Sequence, residues 1–167
     1  MSTDAAHKSW WQISEVVFGI PLVISIALQL VIPVSLPQSI LRQTLIPVGI
    51  TLIITGIGFI VLTRRELARY GQPTDPGQPT SQVVKTGMFA VSRNPLYLGR
   101  VFVLFGMALT LNILWILVML AFSIILCHHV LIIPEERYLT AKFGVEYRAY
   151  TASVHRWFGR KRVKTKK

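Results

Sequence analysis

Long apolar runs dominate this chain, and their lengths decide its class. Residues from Val16 to Leu36 and from Leu45 to Thr63 are almost all apolar. The chain turns apolar again from Leu96 to Ile133, with Asn112 as a polar break near the middle. About 20 apolar residues in a helix match the hydrocarbon thickness of a bilayer. The last run is too long for one ordinary span, so it predicts a tight hairpin turning at Asn112. The pattern therefore predicts an all-α integral membrane protein with four spans, at 16–36, 45–63, 96–111 and 113–133. One membrane domain accounts for residues 1–167.

Polar segments join and follow these spans. Residues 64–95 form a long loop containing the near-repeat Gly71–Thr80, whose proline and glycine prevent a regular helix. Within span two, Gly49 and Gly56 lie seven apart, on one helical face where small residues allow close helix contact. After Pro134, Leu139, Phe143, Tyr147, Tyr150 and Val154 recur every three or four residues. That spacing predicts an amphipathic helix, suited to the membrane surface, leading to a basic tail that ends at Lys167.

Charge adds orientation. The formal net charge is +11. Nucleic acid is an obvious partner for so basic a chain, but the basic residues flank apolar spans and fit contacts to anionic lipid better. Arg42 is the only Lys or Arg in the two connections on one side. The positive-inside rule then places both termini and the long loop in the cytoplasm. Trp10 and Trp11 stand before span one, where amphipathic rings favour the headgroup layer. The N-terminus lacks the pattern of a cleaved signal peptide. Cys127, the single cysteine, is expected to be a small packing residue.

Two segments stand out chemically. Lys85–Arg100 holds Asn94-Pro95, which breaks regular structure, with Arg93 and Tyr97 on either side. His128–Tyr150 holds Glu135 and Glu136 directly after a span and Pro134. Carboxylates there suit a helix N-terminus, and acids beside a span need solvent or a partner. Of His128 and His129, one is expected to face protein or a polar cavity. Nothing supplies the remaining ligands of a metal site. No glycine-rich nucleotide loop follows a strand.

Together these segments resemble the integral membrane methyltransferases related to isoprenylcysteine carboxyl methyltransferase and the phospholipid methyltransferases, in the bacterial-type branch. Thr86–Gly99, TGMFAVSRNPLYLG, is similar to the family's first motif, and Pro134–Tyr150, PEERYLTAKFGVEYRAY, to its second. The resemblance covers roughly Ser81 to Trp157. It implies S-adenosylmethionine as cofactor, with a site drawn from Ser81, Gln82, Val83, Val84, Phe89, Arg93, Asn94, Pro95, Leu96, Tyr97 and Glu135. Phe89 replaces a common tyrosine, and Asn94 a histidine usual in eukaryotic members. Leu131 stands where the eukaryotic carboxyl methyltransferases carry arginine, which points away from a prenylcysteine carboxylate.

The resemblance implies methyl transfer to a lipophilic acceptor, a phospholipid amine or a small thiol or carboxylate, at the cytoplasmic face of a bacterial inner membrane. An amine acceptor must lose its proton, and His129 and Glu136 are the candidate bases. Two other classes compete: a small four-helix transporter, suggested by Glu15 near span one, and a non-catalytic membrane scaffold. Neither accounts for the two motifs.

Overall fold

A computed structural model describes residues 14–37, 41–73 and 79–161. Trp10, Trp11, the middle of the Gly71–Thr80 near-repeat and the last six residues lie outside the described residues. The described chain is helical, with no strand beyond one isolated bridge between Val154 and Arg160. The helices are α1 (Ser14–Val31), α2 (Ile46–Arg69), α3 (Pro95–Leu111), α4 (Leu114–Leu126) and α5 (Ile133–Ser153). Ser14–Val31, Gln43–Arg69 and Leu114–Ser153 are each long and apolar enough to cross a membrane. The apolar α3 is shorter: its 17 residues rise about 26 Å. Span one thus ends at Val31, short of the expected Leu36, while the helix of span two continues past Thr63 to Arg69.

Prolines shape the helices. Pro21 lies inside α1, where it removes one backbone donor, and Ser25 Oγ bonds the Pro21 carbonyl at 2.7 Å. Wider π-helical turns occupy Leu41–Leu45 and Cys127–Ile132. Each ends two residues before a proline, Pro47 or Pro134. A proline ring clashes with the carbonyl four residues back, and a wider turn relieves that clash. Pro95 opens α3, where its missing N–H costs nothing.

Antiparallel α2 and α3 pack through a glycine seam. A Cβ on Gly56 would lie 2.6 Å from the Gly99 carbonyl, and one on Gly49 would lie 2.7 Å from that of Gly106. Gly99 and Gly106 are themselves seven apart, so two matched pairs let the backbones touch. Against this pair, α1 packs on α4. The core joins Val17 and Phe18 of α1, Leu104 and Ala108 of α3, and Ile116 and Leu120 of α4, and continues to Cys127 and Leu131. Outward faces are aliphatic: Leu30 is 83% and Ile54 66% exposed, which suits lipid contact and not water.

Asn112 makes the hairpin between α3 and α4. It adopts the left-handed conformation at φ 56°. Its side chain also pairs with Leu36, donating to the carbonyl at 3.0 Å and accepting from the amide at 2.8 Å. Trp115 Nε1 donates to the Ile32 carbonyl at 2.8 Å. The chain leaving α1 is thereby tied to the turn at one end of the bundle.

The apolar stripe after Pro134 has a protein partner. Gly144 has φ 51° and ψ −117°, which kinks α5. Tyr147, Tyr150 and Val154 are buried, with Leu139, Phe143, Val83 and Phe89 packed against them. The stripe covers the loop before α3.

Candidate active site

The hairpin returns the start of α3 and the start of α5 to the same end of the bundle. Tyr97 stands in the first turn of α3, and its hydroxyl donates to Glu135 Oε2 at 3.1 Å. This bond joins the two motif-bearing segments directly. Glu135 is half-buried and lies just past the π turn, in the helix that runs unbroken from α4 into α5. Cys127, which is fully buried, and Leu131 form the apolar floor on the α4 side.

Glu136 has a different environment. Its Oε1 accepts from Arg93 Nη1 at 2.9 Å and from Arg156 Nε at 3.0 Å, and its Oε2 from Arg156 Nη2 at 2.6 Å. Arg93 is nearly buried, at 9% side-chain exposure, and Glu136 is at 17%. The hydrogen bonds to Glu136 hold the Arg156 guanidinium above its ordinary pKa, so it keeps its charge. Two cations on one carboxylate form a triad of low exposure. Such groups are costly to bury singly and stable only together.

Arg156 belongs to a C-terminal strap, residues 154–161, that folds back on the loop before α3. The Arg156 carbonyl accepts from Asn94 Nδ2 at 3.0 Å and from Ser92 Oγ at 3.4 Å. Arg93 N donates to the His155 carbonyl at 3.2 Å, and Gly159 N to that of Val91 at 2.7 Å. Tyr150 Oη donates to the Phe89 carbonyl at 2.7 Å. Asn94, expected to meet the cofactor, thus spends its amide on the strap. Pro95 is fully buried, while Leu96 is half-buried.

The earlier part of the loop is anchored by α2. Gln72 and Ser81 exchange two bonds, Ser81 N to Gln72 Oε1 at 2.8 Å and Gln72 Nε2 to Ser81 Oγ at 2.7 Å. Gln82 Nε2 donates to the Tyr70 carbonyl at 2.9 Å. Val83 packs on the tyrosine stripe and Val84 is buried. Thr86 Oγ1 donates to the buried carboxylate of Glu66 and bonds the Tyr70 hydroxyl at 2.9 Å. Gly87 follows at φ 56°, and a Cβ there would lie 2.9 Å from Glu66 Cδ. Only glycine suits both the backbone and the space.

Of the two histidines, His128 is half-buried and His129 exposed, their rings meeting edge to face at 5.0 Å. The expected His129 is therefore the outward one.

The two segments now share one place, and the profile of the whole chain agrees with them. The family model described as phospholipid methyltransferase matches residues 44–146. The chain belongs to the phospholipid methyltransferase family. No curated protein and no solved structure matches the chain. Membership implies a methyltransferase of lipid-type acceptors. It also means that the match stops short of the strap, which begins beyond residue 146. Glu66 lies within the match, although the resemblance read from the sequence began only at Ser81. Three features escaped sequence reasoning: Glu66, Arg156 and the Gly99–Gly106 pair. Glu66 had a signal, as the one acid among Arg64, Arg65 and Arg69. Arg156 had none, being one basic residue among many.

Proposed function

We propose that this phospholipid methyltransferase family member transfers a methyl group from S-adenosylmethionine to a lipophilic acceptor, at the end of the bundle that carries Tyr97 and Glu135, and that this end faces the cytoplasm. The Tyr97–Glu135 hydrogen bond carries the reading, because it brings two polar motif residues together where membrane helices end.

The donor set fits the cofactor. Glu135 offers a carboxylate for an ammonium group. Arg93 keeps a buried Nε that lacks a hydrogen-bond partner, leaving cationic character for a carboxylate or a water bound between them. When bound, S-adenosylmethionine supplies a sulfonium methyl already activated toward nucleophiles. Tyr97 orients Glu135, and the triad around Glu136 fixes the start of α5 against the loop before α3. The apolar floor excludes water from the reacting groups. Catalysis of this kind is mainly alignment of acceptor and methyl donor. The exposure of the helix walls to lipid lets an acceptor arrive sideways from the bilayer.

A thiolate or carboxylate acceptor needs no general base. For an amine acceptor no base is assigned, since Glu136 is committed to its two arginines and His129 faces outward. Calorimetric titration of the purified protein in detergent micelles tests the reading. It requires saturable binding of S-adenosylmethionine, and a well-folded protein that gives no binding heat and no methylated lipid product rules it out.

A further inference from the structure

One ion pair near this end of the bundle has no part in the reaction described so far. Arg100 Nη2 donates to Glu15 Oε1 at 2.7 Å, joining α3 to the first turn of α1. Arg100 lies three residues beyond Tyr97, one turn along the same helix face. The pair is lopsided, since the Glu15 side chain is 58% exposed and that of Arg100 only 19%. The guanidinium is held by its surroundings, while the more exposed carboxylate is kept by Arg100 and by Ser14 Oγ, which donates to its Oε2 at 3.1 Å.

An apolar groove begins one residue after Glu15. It lies between α1 and α4, has a volume of about 270 Å³, and is walled by Val16, Val17, Ile20, Ile24, Phe122 and Val130 among others. Val16 to Ile24 rises about 12 Å along α1, so the groove runs from the polar end into the depth of the span. Ile20 and Phe122 are about half exposed, so it opens sideways toward lipid. A ligand that matches this arrangement carries an anion at one end and a hydrocarbon chain at the other. Guanidinium groups favour phosphate through paired hydrogen bonds.

We infer that Arg100 and this groove form the acceptor site: the phosphate of a glycerophospholipid replaces Glu15 on Arg100, and one acyl chain lies along α1 and α4. This rests on the reading of Tyr97 and Glu135 as the methyl-transfer site, because Tyr97 would then stand one helical turn from the bound phosphate. Glu15 acts as a stand-in anion that keeps Arg100 neutralised until the lipid arrives.

The test uses the full chain in nanodiscs without cofactor, with phosphatidylethanolamine bearing a photoactivatable group in one acyl chain. A diacylglycerol with the same chain but no phosphate serves as the second probe. Adducts are expected on α1 and α4 at the groove. Arg100→Gln should lower the phospholipid adduct yield roughly tenfold and leave the diacylglycerol yield unchanged. Glu15→Gln, which removes the competing anion, should hold or raise the phospholipid yield. Ile20→Trp, at the open rim, should lower both yields by filling the groove. Equal losses in Glu15→Gln and Arg100→Gln would show an ordinary structural ion pair and overturn the site, as would adducts spread evenly over all helices and unaffected by Ile20→Trp. If Arg100→Gln fails to fold, Arg100→Lys and Ile20→Trp decide the matter alone: Lys should retain part of the phospholipid yield, and full retention in Ile20→Trp overturns the site. Cofactor titration of the same samples separates the outcomes, because intact cofactor binding with no groove adducts rejects the lipid site and spares the methyl-transfer reading.

Discussion

Adjacent carboxylates, Glu135 and Glu136, have opposite duties, and substitution should separate them. Glu135 has one neutral partner, the Tyr97 hydroxyl. Glu135→Gln keeps the volume and removes the charge, so the fold should persist while cofactor affinity falls roughly ten- to a hundredfold. Calorimetry checks the affinity and circular dichroism the fold; unchanged affinity would leave Glu135 only its structural contact with Tyr97. Glu136→Gln should do the reverse. It strands Arg93 and Arg156, and breaking such a pair typically costs about 3–5 kcal/mol when fully buried. The partial exposure of Arg156 lowers that to about 2 kcal/mol by the same reasoning. A marked drop in the thermal midpoint in detergent is the expected observation. From the sequence the two acids have different duties, Glu135 to the cofactor and Glu136 to a proton, but nothing there shows that Glu136 is held by two arginines. What separates them is the strap, whose Arg156 lies 20 residues beyond Glu136.

Among the elements, the seam between α2 and α3 makes the clearest forecast. Gly56→Ala places a methyl 2.6 Å from the Gly99 carbonyl, a backbone atom that cannot swing aside. Forced overpacking of this kind costs about 1–3 kcal/mol. Gly58→Ala, two residues on, meets nothing within 4 Å and should be neutral or gain up to about 1 kcal/mol of helix propensity. Comparing thermal midpoints of the two variants checks the seam. Gly49 and Gly56 were legible as one face because seven residues return to the same side of a helix. Their partners were not, because helix pairing depends on which neighbour offers a matching gap. Apolar length and the Asn112 break gave the hairpin, while the continuation of α2 to Arg69 was hidden because arginine is as much at home in a helix as outside one. The stripe from Leu139 to Val154 was legible as a face, but not what it would cover. Periodicity reports that a side is apolar, and the loop that packs on it carries too little apolar pattern of its own to announce itself.

At the scale of the whole molecule, charge asymmetry predicts which way the bundle sits. Reporter fusions placed after Lys167 and within residues 37–43 should report opposite sides of the membrane, the first cytoplasmic. The same side for both would refute four spans. The two motif segments of the candidate site were legible in the sequence, and the geometry that brings them together required the hairpin. The order of assembly follows from the strap. The spans and both motifs have been synthesised by Tyr150, and Arg93 and Glu136 can already pair with each other, yet the Asn94 side-chain amide, the Arg93 backbone amide and Glu136 Oε2 receive their partners from residues 155 and 156. A nascent chain can therefore insert and pack its spans before the strap clamps the loop before α3 to the start of α5. A stop codon after Ser153 should yield a protein that reaches the membrane in normal amounts and binds no cofactor, so that abundance, the usual measure of damage, would miss the loss entirely.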